Sequence, residues 1–118
     1  METFTVQVLP IAKPAEWRSF NKSISSGDRA NAHRQFLRRL GVKREHVFTQ
    51  AVPAGEVMVL VWEGVEQDRV GELMRGMVAD PQSEHERYLA NHVSPNLHGI
   101  DVSAGSPPLT VKVATIEP

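Results

Sequence analysis

The stretch SEHERYLANHVSPNLHGID, residues 83–101, groups the side chains of this sequence that are best suited to proton transfer. It contains three of the five histidines and the only tyrosine. On a helix that starts at Glu84, positions 84, 85, 88, 91 and 92 fall within an arc of about 120°. Tyr88 and His92 are then one turn apart, and histidine titrates near neutral pH while tyrosine can donate or accept a proton. We therefore predict Tyr88 and His92 as a catalytic acid–base pair.

Three further side chains are candidates for shaping a ligand site around this pair, namely His85, His98 and Trp62. The alternative interpretation is a short surface helix with a solvated polar face, because convergent polar groups need a pocket to bind a ligand. A metal site is not predicted. His85 and His92 lie about 10.5 Å apart along a helix, whereas zinc ligands must each approach the ion to ~2.1 Å.

Composition limits the class of protein. The chain has 118 residues, no cysteine and a net charge of −1. Its length predicts a single domain over residues 1–118. The near-neutral charge gives no electrostatic reason to expect nucleic acid or membrane as a partner, and the lack of cysteine excludes disulfides and thiolate chemistry. The N-terminal residues METFTVQVLP do not resemble a signal peptide, so we expect a cytoplasmic protein.

The hydrophobic pattern predicts strands and helices in a definite order. TFTVQVLP alternates as a strand, and residues 14–40 are helical, either as one kinked helix or as two helices. Ser26 and Asp28 are possible N-caps in the middle of this segment, and Gly41 is expected to end it. EHVFTQAVPAGEVMVLVWEG is typical of a hairpin that turns at PAGE. VEQDRVGELMRGMVAD has the spacing of an amphipathic helix. Ser83 and Glu86 form a capping box that starts a short helix, which we expect Ser94-Pro95 to end. LTVKVATI predicts a last strand, and GIDV could form another short one.

The order is β-α-β-β-α-β, as in a ferredoxin-like α+β sandwich with an antiparallel sheet. Helices can cover only one face of such a sheet, yet residues 57–62 are apolar at every position. A strand that is apolar on both faces must be covered on both. We therefore expect a homodimer in which two copies pack sheet against sheet.

The sequence also resembles a known group of proteins. The segments EWRSFNKSI, FLRRLGVKREHVFTQ and ADPQSEHERYLANHVSPNLHGID look like a family of small uncharacterised bacterial proteins within the dimeric α+β barrel superfamily. The resemblance covers residues 3–102. It implies a dimeric barrel whose ligands lie between the helices and their own sheet. The superfamily includes cofactor-independent monooxygenases, haem-degrading enzymes, sugar mutarotases and lactone isomerases, so the fold does not choose the function.

The resemblance also bears on Trp62, since haem-degrading relatives place a tryptophan beside a histidine and an asparagine. This chain has Gln7 and no asparagine in its first strand, which argues against that activity. Our functional hypothesis is a small-molecule-binding domain without a cofactor, whose catalytic form would be an enzyme of monooxygenase or isomerase type. The alternative is a non-catalytic dimeric interaction or regulatory module.

Overall fold

Helices cover one face of an antiparallel sheet and leave the other face open. The computed structural model describes residues 3–100 and 110–118. The strands are β1 (Phe4–Pro10), β2 (Arg44–Val52) and β3 (Gly55–Glu63). The helices are α1 (Pro14–Ser25), α2 (Ala30–Leu40), α3 (Val70–Ala79) and α4 (Glu84–Tyr88). A 3₁₀ turn, Gln67–Arg69, leads into α3, and a π-helical segment, Leu89–Leu97, continues α4.

The sheet has the strand order β1-β3-β2, with both neighbouring pairs antiparallel. In its register Trp62 lies between Thr5 and Glu45, and Leu60 lies between Gln7 and Val47. These residues point toward the helices, because side chains alternate along a strand. Polar side chains therefore occupy part of the face that is buried.

The opposite face of the sheet carries exposed apolar side chains, and none of the described helices covers it. Phe4, Val8 and Phe48 are 53%, 47% and 56% exposed. The alternation of β1 was correctly predicted, but its Phe4–Val8 face is the open one and its Thr5–Gln7 face is the buried one. The small helices reach only one side of the sheet, so these apolar side chains remain in solvent.

The predicted fourth strand is not present in the part of LTVKVATI that the structure describes. Residues 110–118 form neither helix nor strand, and Val111, Val113 and Ile116 are 74%, 94% and 91% exposed. The first residue of that segment, and the second half of GIDV, lie outside the described residues. The fold is therefore α+β with three described strands, and the full ferredoxin-like order is not established.

The edge of β1 is occupied by a side chain. Gln67 accepts a hydrogen bond from the Val6 N–H at 2.9 Å through Oε1 and donates to the Val6 carbonyl at 3.3 Å through Nε2. Nε2 also donates to the Thr110 carbonyl at 2.8 Å. The Gln67 amide thus bonds to β1 as a neighbouring strand would.

The helical segment 14–40 consists of two helices, which is one of the two predicted arrangements. They separate at Gly27, where an added Cβ would lie 2.8 Å from the Ser23 Cα. Neither Ser26 nor Asp28, the expected caps, starts α2, since its N-cap is Arg29 without a side-chain hydrogen bond. Gly41 ends α2 in the left-handed conformation, as predicted, with φ 82°.

The predicted cap of α4 forms, with one difference. Ser83 Oγ accepts the Glu86 N–H at 3.1 Å, but the Glu86 carboxylate accepts the Gln82 N–H, also at 3.1 Å, instead of that of Ser83. Pro95 does not end the helix, which continues to Leu97 in the wider π-helical form. A π-helical turn is often found where a helix is interrupted by a residue that cannot donate.

None of the helices in residues 3–100 and 110–118 is both long enough and apolar enough to cross a bilayer.

Candidate functional site

A chain of hydrogen bonds crosses the buried layer between sheet and helices. It starts on the sheet, where the Trp62 Nε1–H donates to Glu45 Oε2 at 2.7 Å. The two residues are register partners on the inner face of β3 and β2, which explains their proximity. The other carboxylate oxygen, Oε1, lies 2.8 Å from His33 Nε2. Glu45 is thereby held by two donors from different elements.

The chain continues through two helices. His33 lies on α2 in line with Phe36, Leu37 and Leu40, so the apolar stripe of the helix carries it into the core. Its Nδ1 lies 3.0 Å from His85 Nε2 of α4. The rings meet edge to face with centroids 5.2 Å apart. His85 is 2% exposed, and it lies in the core instead of on a solvated helix face.

At its far end the chain reaches Arg29, whose Nη1 lies 3.3 Å from His85 Nδ1. An arginine can only donate, so His85 Nδ1 accepts and the proton of its neutral ring is on Nε2. That proton goes to His33 Nδ1, and the His33 proton on Nε2 then goes to Glu45. One arrangement of protons thus satisfies every bond with both rings neutral. We call the Glu45–His33–His85 chain the relay.

The neutral state of His85 also follows from its surroundings. Burial, with a further contribution from the positive charge of Arg29, lowers the pKa of His85 from 6.5 to about 4. Burial disfavours the charged form of an imidazole, and nearby cations act in the same direction. At neutral pH His85 can therefore accept a proton only transiently, as a relay requires.

The sheet end of the relay faces a cavity of about 110 Å³ between the helices and the sheet. Most of its lining is apolar, including Trp17, Leu60 and Met77. The polar side chains at its surface are Asn21, His33, Glu45, Trp62, Ser94 and His98. A few convergent polar groups in an apolar cavity are typical of a small-molecule site.

The helix end of the relay lies beside a separate, open groove of about 470 Å³, lined by Phe20, Arg29, Tyr88 and His92 among others. Tyr88 stacks on His92 with ring centroids 5.0 Å apart. The Arg29 guanidinium lies 3.6 Å from the centre of the Tyr88 ring, a cation–π contact. The predicted pair Tyr88 and His92 is therefore brought together, but in this groove and not in the cavity.

The other predicted site residues divide between the two places. Trp62 and His98 line the cavity, whereas His85 links the relay to the groove. His98 is held by its Nδ1–H, which donates to the Pro10 carbonyl at 2.7 Å. Burial lowers the pKa of His98, so its ring lines the cavity in the neutral form.

An ion pair fixes α4 against α2 and so sets the distance between the two histidines. Arg39 donates through Nε to Glu86 Oε2 at 2.7 Å and through Nη2 to Oε1. Burial disfavours ionisation of Glu86, but these bonds and that from the Gln82 N–H outweigh it and lower its pKa. Such bidentate pairs fix orientation as well as contributing energy.

Sequence reasoning missed His33, Glu45 and Arg29. Two signals could have found the first two, since His33 falls at i, i+3, i+4 and i+7 with the apolar residues of α2, and Glu45 alternates in phase with Val47. A titratable residue on a buried stripe is uncommon and needs a partner. No pattern indicates Arg29, because its partners lie on α4.

In the described ranges 3–100 and 110–118, no three His, Asp or Glu side chains are grouped as metal ligands would be. No family model matches the sequence, and comparisons with curated proteins and with solved structures likewise give no match. The site must therefore be interpreted from its own geometry.

Proposed function

We propose that this protein binds a small carbonyl compound in the cavity and catalyses a proton shift within it, as a cofactor-independent enzyme of isomerase type. The observation that carries the proposal is Glu45, a carboxylate at the surface of the cavity whose two oxygens are each held by a donor. A fixed carboxylate beside an apolar space is suited to general-base chemistry.

The reaction would start at a carbon next to the carbonyl group. Each Glu45 oxygen accepts one hydrogen bond and keeps a lone pair for the substrate. One of them takes the proton, the C–H electron pair moves toward the carbonyl, and an enol or enolate forms. Glu45 then returns the proton to another atom and becomes a carboxylate again. His33 and Trp62 act as positioning residues, and the Asn21 and Ser94 side chains can donate to the carbonyl oxygen.

The relay would connect Glu45 with the groove. A proton that arrives at His85 Nδ1 displaces the Nε2 proton to His33 Nδ1, and the His33 Nε2 proton moves to Glu45. Both rings end neutral with their tautomers exchanged, and Glu45 ends protonated. Two catalytic types, isomerase and monooxygenase, were predicted from the sequence. The isomerase type is favoured, because these residues supply acid–base chemistry.

Exchange of substrate protons with solvent tests the proposal directly. A cavity of about 150 Å³ holds benzene, so the probe should have a ring of about five or six carbons. The loss of the α-proton signals of cyclopentanone in D₂O is followed by NMR, with and without the protein. Replacing Glu45→Gln should slow the catalysed exchange by about 100-fold or more, because it removes the base.

The matched control is Glu63→Gln on the opposite face of the same sheet, where the carboxylate pairs with His46. It should leave the exchange rate unchanged. Binding is measured separately by tryptophan fluorescence, since both Trp17 and Trp62 line the cavity. Equal exchange rates for wild type and Glu45→Gln would exclude Glu45 as the base.

The uncovered face of the sheet supports a second candidate function, that of a dimeric interaction or regulatory module. A second copy of the chain packed sheet against sheet, as in the dimeric α+β barrels that the sequence resembles, would cover Phe4, Val8 and Phe48. Monomeric proteins rarely leave a contiguous apolar face of this kind in solvent. A wild-type protein that forms the dimer but does not catalyse the exchange of cyclopentanone protons would favour this alternative.

A further inference from the structure

Arg29 stands between the relay and the groove and contacts both. Its Nη1 lies 3.3 Å from His85 Nδ1, while its guanidinium covers the Tyr88 ring at 3.6 Å. It also lines the groove. One side chain therefore occupies the entry point of the relay and the wall of the open site at the same time.

The positive charge of Arg29 is only weakly neutralised. Within residues 3–100 and 110–118 its ion pair is with Glu84 at 3.7 Å, and the Glu84 side chain is 73% exposed. That separation exceeds a hydrogen-bond distance, and an exposed pair of this kind contributes little. Both this contact and the His85 contact use Nη1. In the same ranges Nη2 and Nε make no hydrogen bond or ion pair, so the planar fork that suits a carboxylate is free.

The groove around Arg29 has room and an apolar surface. Its volume is about 470 Å³. The Phe20 and Tyr88 rings are 6.1 Å apart, and the Tyr88–His92 stack continues this aromatic wall. Ser19 and Glu16 also line the groove. Glu16 is exposed, so its repulsion of an anion is screened by solvent. No acidic residue occupies the first turn of α2, whose positive end begins at Arg29.

We infer that this groove binds a small carboxylate with a planar apolar body. The carboxylate pairs with Nη2 and Nε of Arg29, and the apolar body packs on Phe20, Tyr88 and His92. The binding site stands on its own geometry.

Benzoate is the probe, and its affinity is measured by isothermal titration calorimetry on the full chain. Arg29→Gln should weaken benzoate binding by about tenfold or more, as expected for the loss of charged hydrogen bonds. Arg29→Lys, which keeps the charge without the fork, should fall between the two. Arg34→Gln, an exposed position on the same helix, is the matched control and should bind as wild type. Benzamide, which has the same ring and no charge, should bind weakly to all four proteins.

A second measurement separates this site from an unspecific effect of charge. Nitrogen NMR of His85 reports the hydrogen bond at Nδ1, and saturating benzoate should shift this signal in wild type but not in Arg29→Gln. Benzoate binding that is equal in Arg29→Gln and wild type would overturn the inference, as would absence of binding at millimolar concentration. Glu45→Gln should bind benzoate normally, so a failure of the proposed proton shift and a failure of the groove can be told apart.

Discussion

Strand β2 carries two histidine–glutamate pairs on its opposite faces, and they differ in environment far more than in geometry. Glu45 points inward and lies 2.8 Å from His33, with side chains 12% and 9% exposed. Its neighbour His46 points outward and lies 2.6 Å from Glu63, with side chains 40% and 25% exposed. By contact distance alone, the two pairs would be judged equally strong. Burial makes the inner pair costly to break and leaves the outer pair to solvent.

The same contrast extends to the whole sheet. The inner face carries Glu45, Thr5 and Gln7, whereas the outer face carries Phe4, Val8 and Phe48. These six residues depart from the usual distribution, in which polar groups are exposed and large apolar groups are buried. The inner departure supports the proposed site, and the outer one supports the proposed dimer.

Removing the centre of the inner pair should have the largest effect. His33→Ala leaves Glu45 without one donor, the His85 Nε2–H without an acceptor, and a space where the ring was. The free energy of unfolding should fall by about 4 kcal/mol, as measured by urea denaturation. His46→Ala, the matched change on the outer face, should alter it little. Similar losses in the two variants would mean that burial does not separate the pairs.

Acid should break the inner chain next, through His85. Because the native state keeps its pKa near 4 and the unfolded chain near 6.5, unfolded molecules take up a proton that native ones do not. Stability is therefore complete above pH 6.5 and is lost as the pH falls toward 4. The loss amounts to about 3 kcal/mol.

Urea denaturation at several pH values checks this dependence. His85→Gln keeps a donor but does not titrate, so its stability should fall less steeply over the same range. His98, whose pKa is also lowered, contributes to both curves in the same direction. Parallel curves for wild type and His85→Gln would contradict the assignment to His85.

A charge on the outer face should break the proposed dimer without unfolding the chain. Phe48 is 56% exposed in a single copy, so Phe48→Glu costs the monomer little. Burying an unpaired carboxylate between two sheets should weaken association by about 30-fold, or roughly 2 kcal/mol. Sedimentation velocity over a concentration series measures the change. Thr49→Glu, at the adjacent exposed position of β2 whose side chain points to the other face, serves as a control for the added charge. If the wild-type protein sediments as a monomer, the proposed dimer is wrong.

The smallest expected effect is a gain in the free energy of unfolding. The Thr5 side chain is fully buried, and within the described residues its Oγ1 has no hydrogen-bond partner. Thr5→Val keeps the shape and removes the unpaired hydroxyl, so the free energy of unfolding should rise by about 1 kcal/mol. Thermal denaturation at neutral pH tests this. A lower melting temperature would show that the hydroxyl is satisfied in solution.

Local patterns predicted the elements well and the site only in part. Alternation marked β1 and the hairpin, the S-x-x-E motif marked the start of α4, and Gly41 marked the end of α2. These features depend on residues within a few positions of each other. The relay instead joins His33 to His85 and Glu45 across 52 and 12 positions, so only packing brings them together.

The burial of His85, which the sequence did not predict, has a physical cause. A helical wheel places His85 beside Tyr88 and His92, but the wheel does not show which side of the helix faces solvent. The Arg39–Glu86 pair rotates α4 so that His85 faces α2 and Tyr88 faces the groove. Arg39, which fixes this orientation, belongs to α2, so no motif within residues 83–101 could indicate it.

The Gln67 amide has a consequence for how copies of this chain can meet. An edge strand with free N–H and C=O groups is a template for open-ended growth by β-pairing, which leads to aggregation. The side chain of Gln67 occupies both groups of Val6 in the middle of β1. A further strand therefore cannot form hydrogen bonds with β1 at Val6. Edge-to-edge pairing through β1 is thereby obstructed at Val6, whereas the face-to-face packing of the proposed dimer does not need this edge.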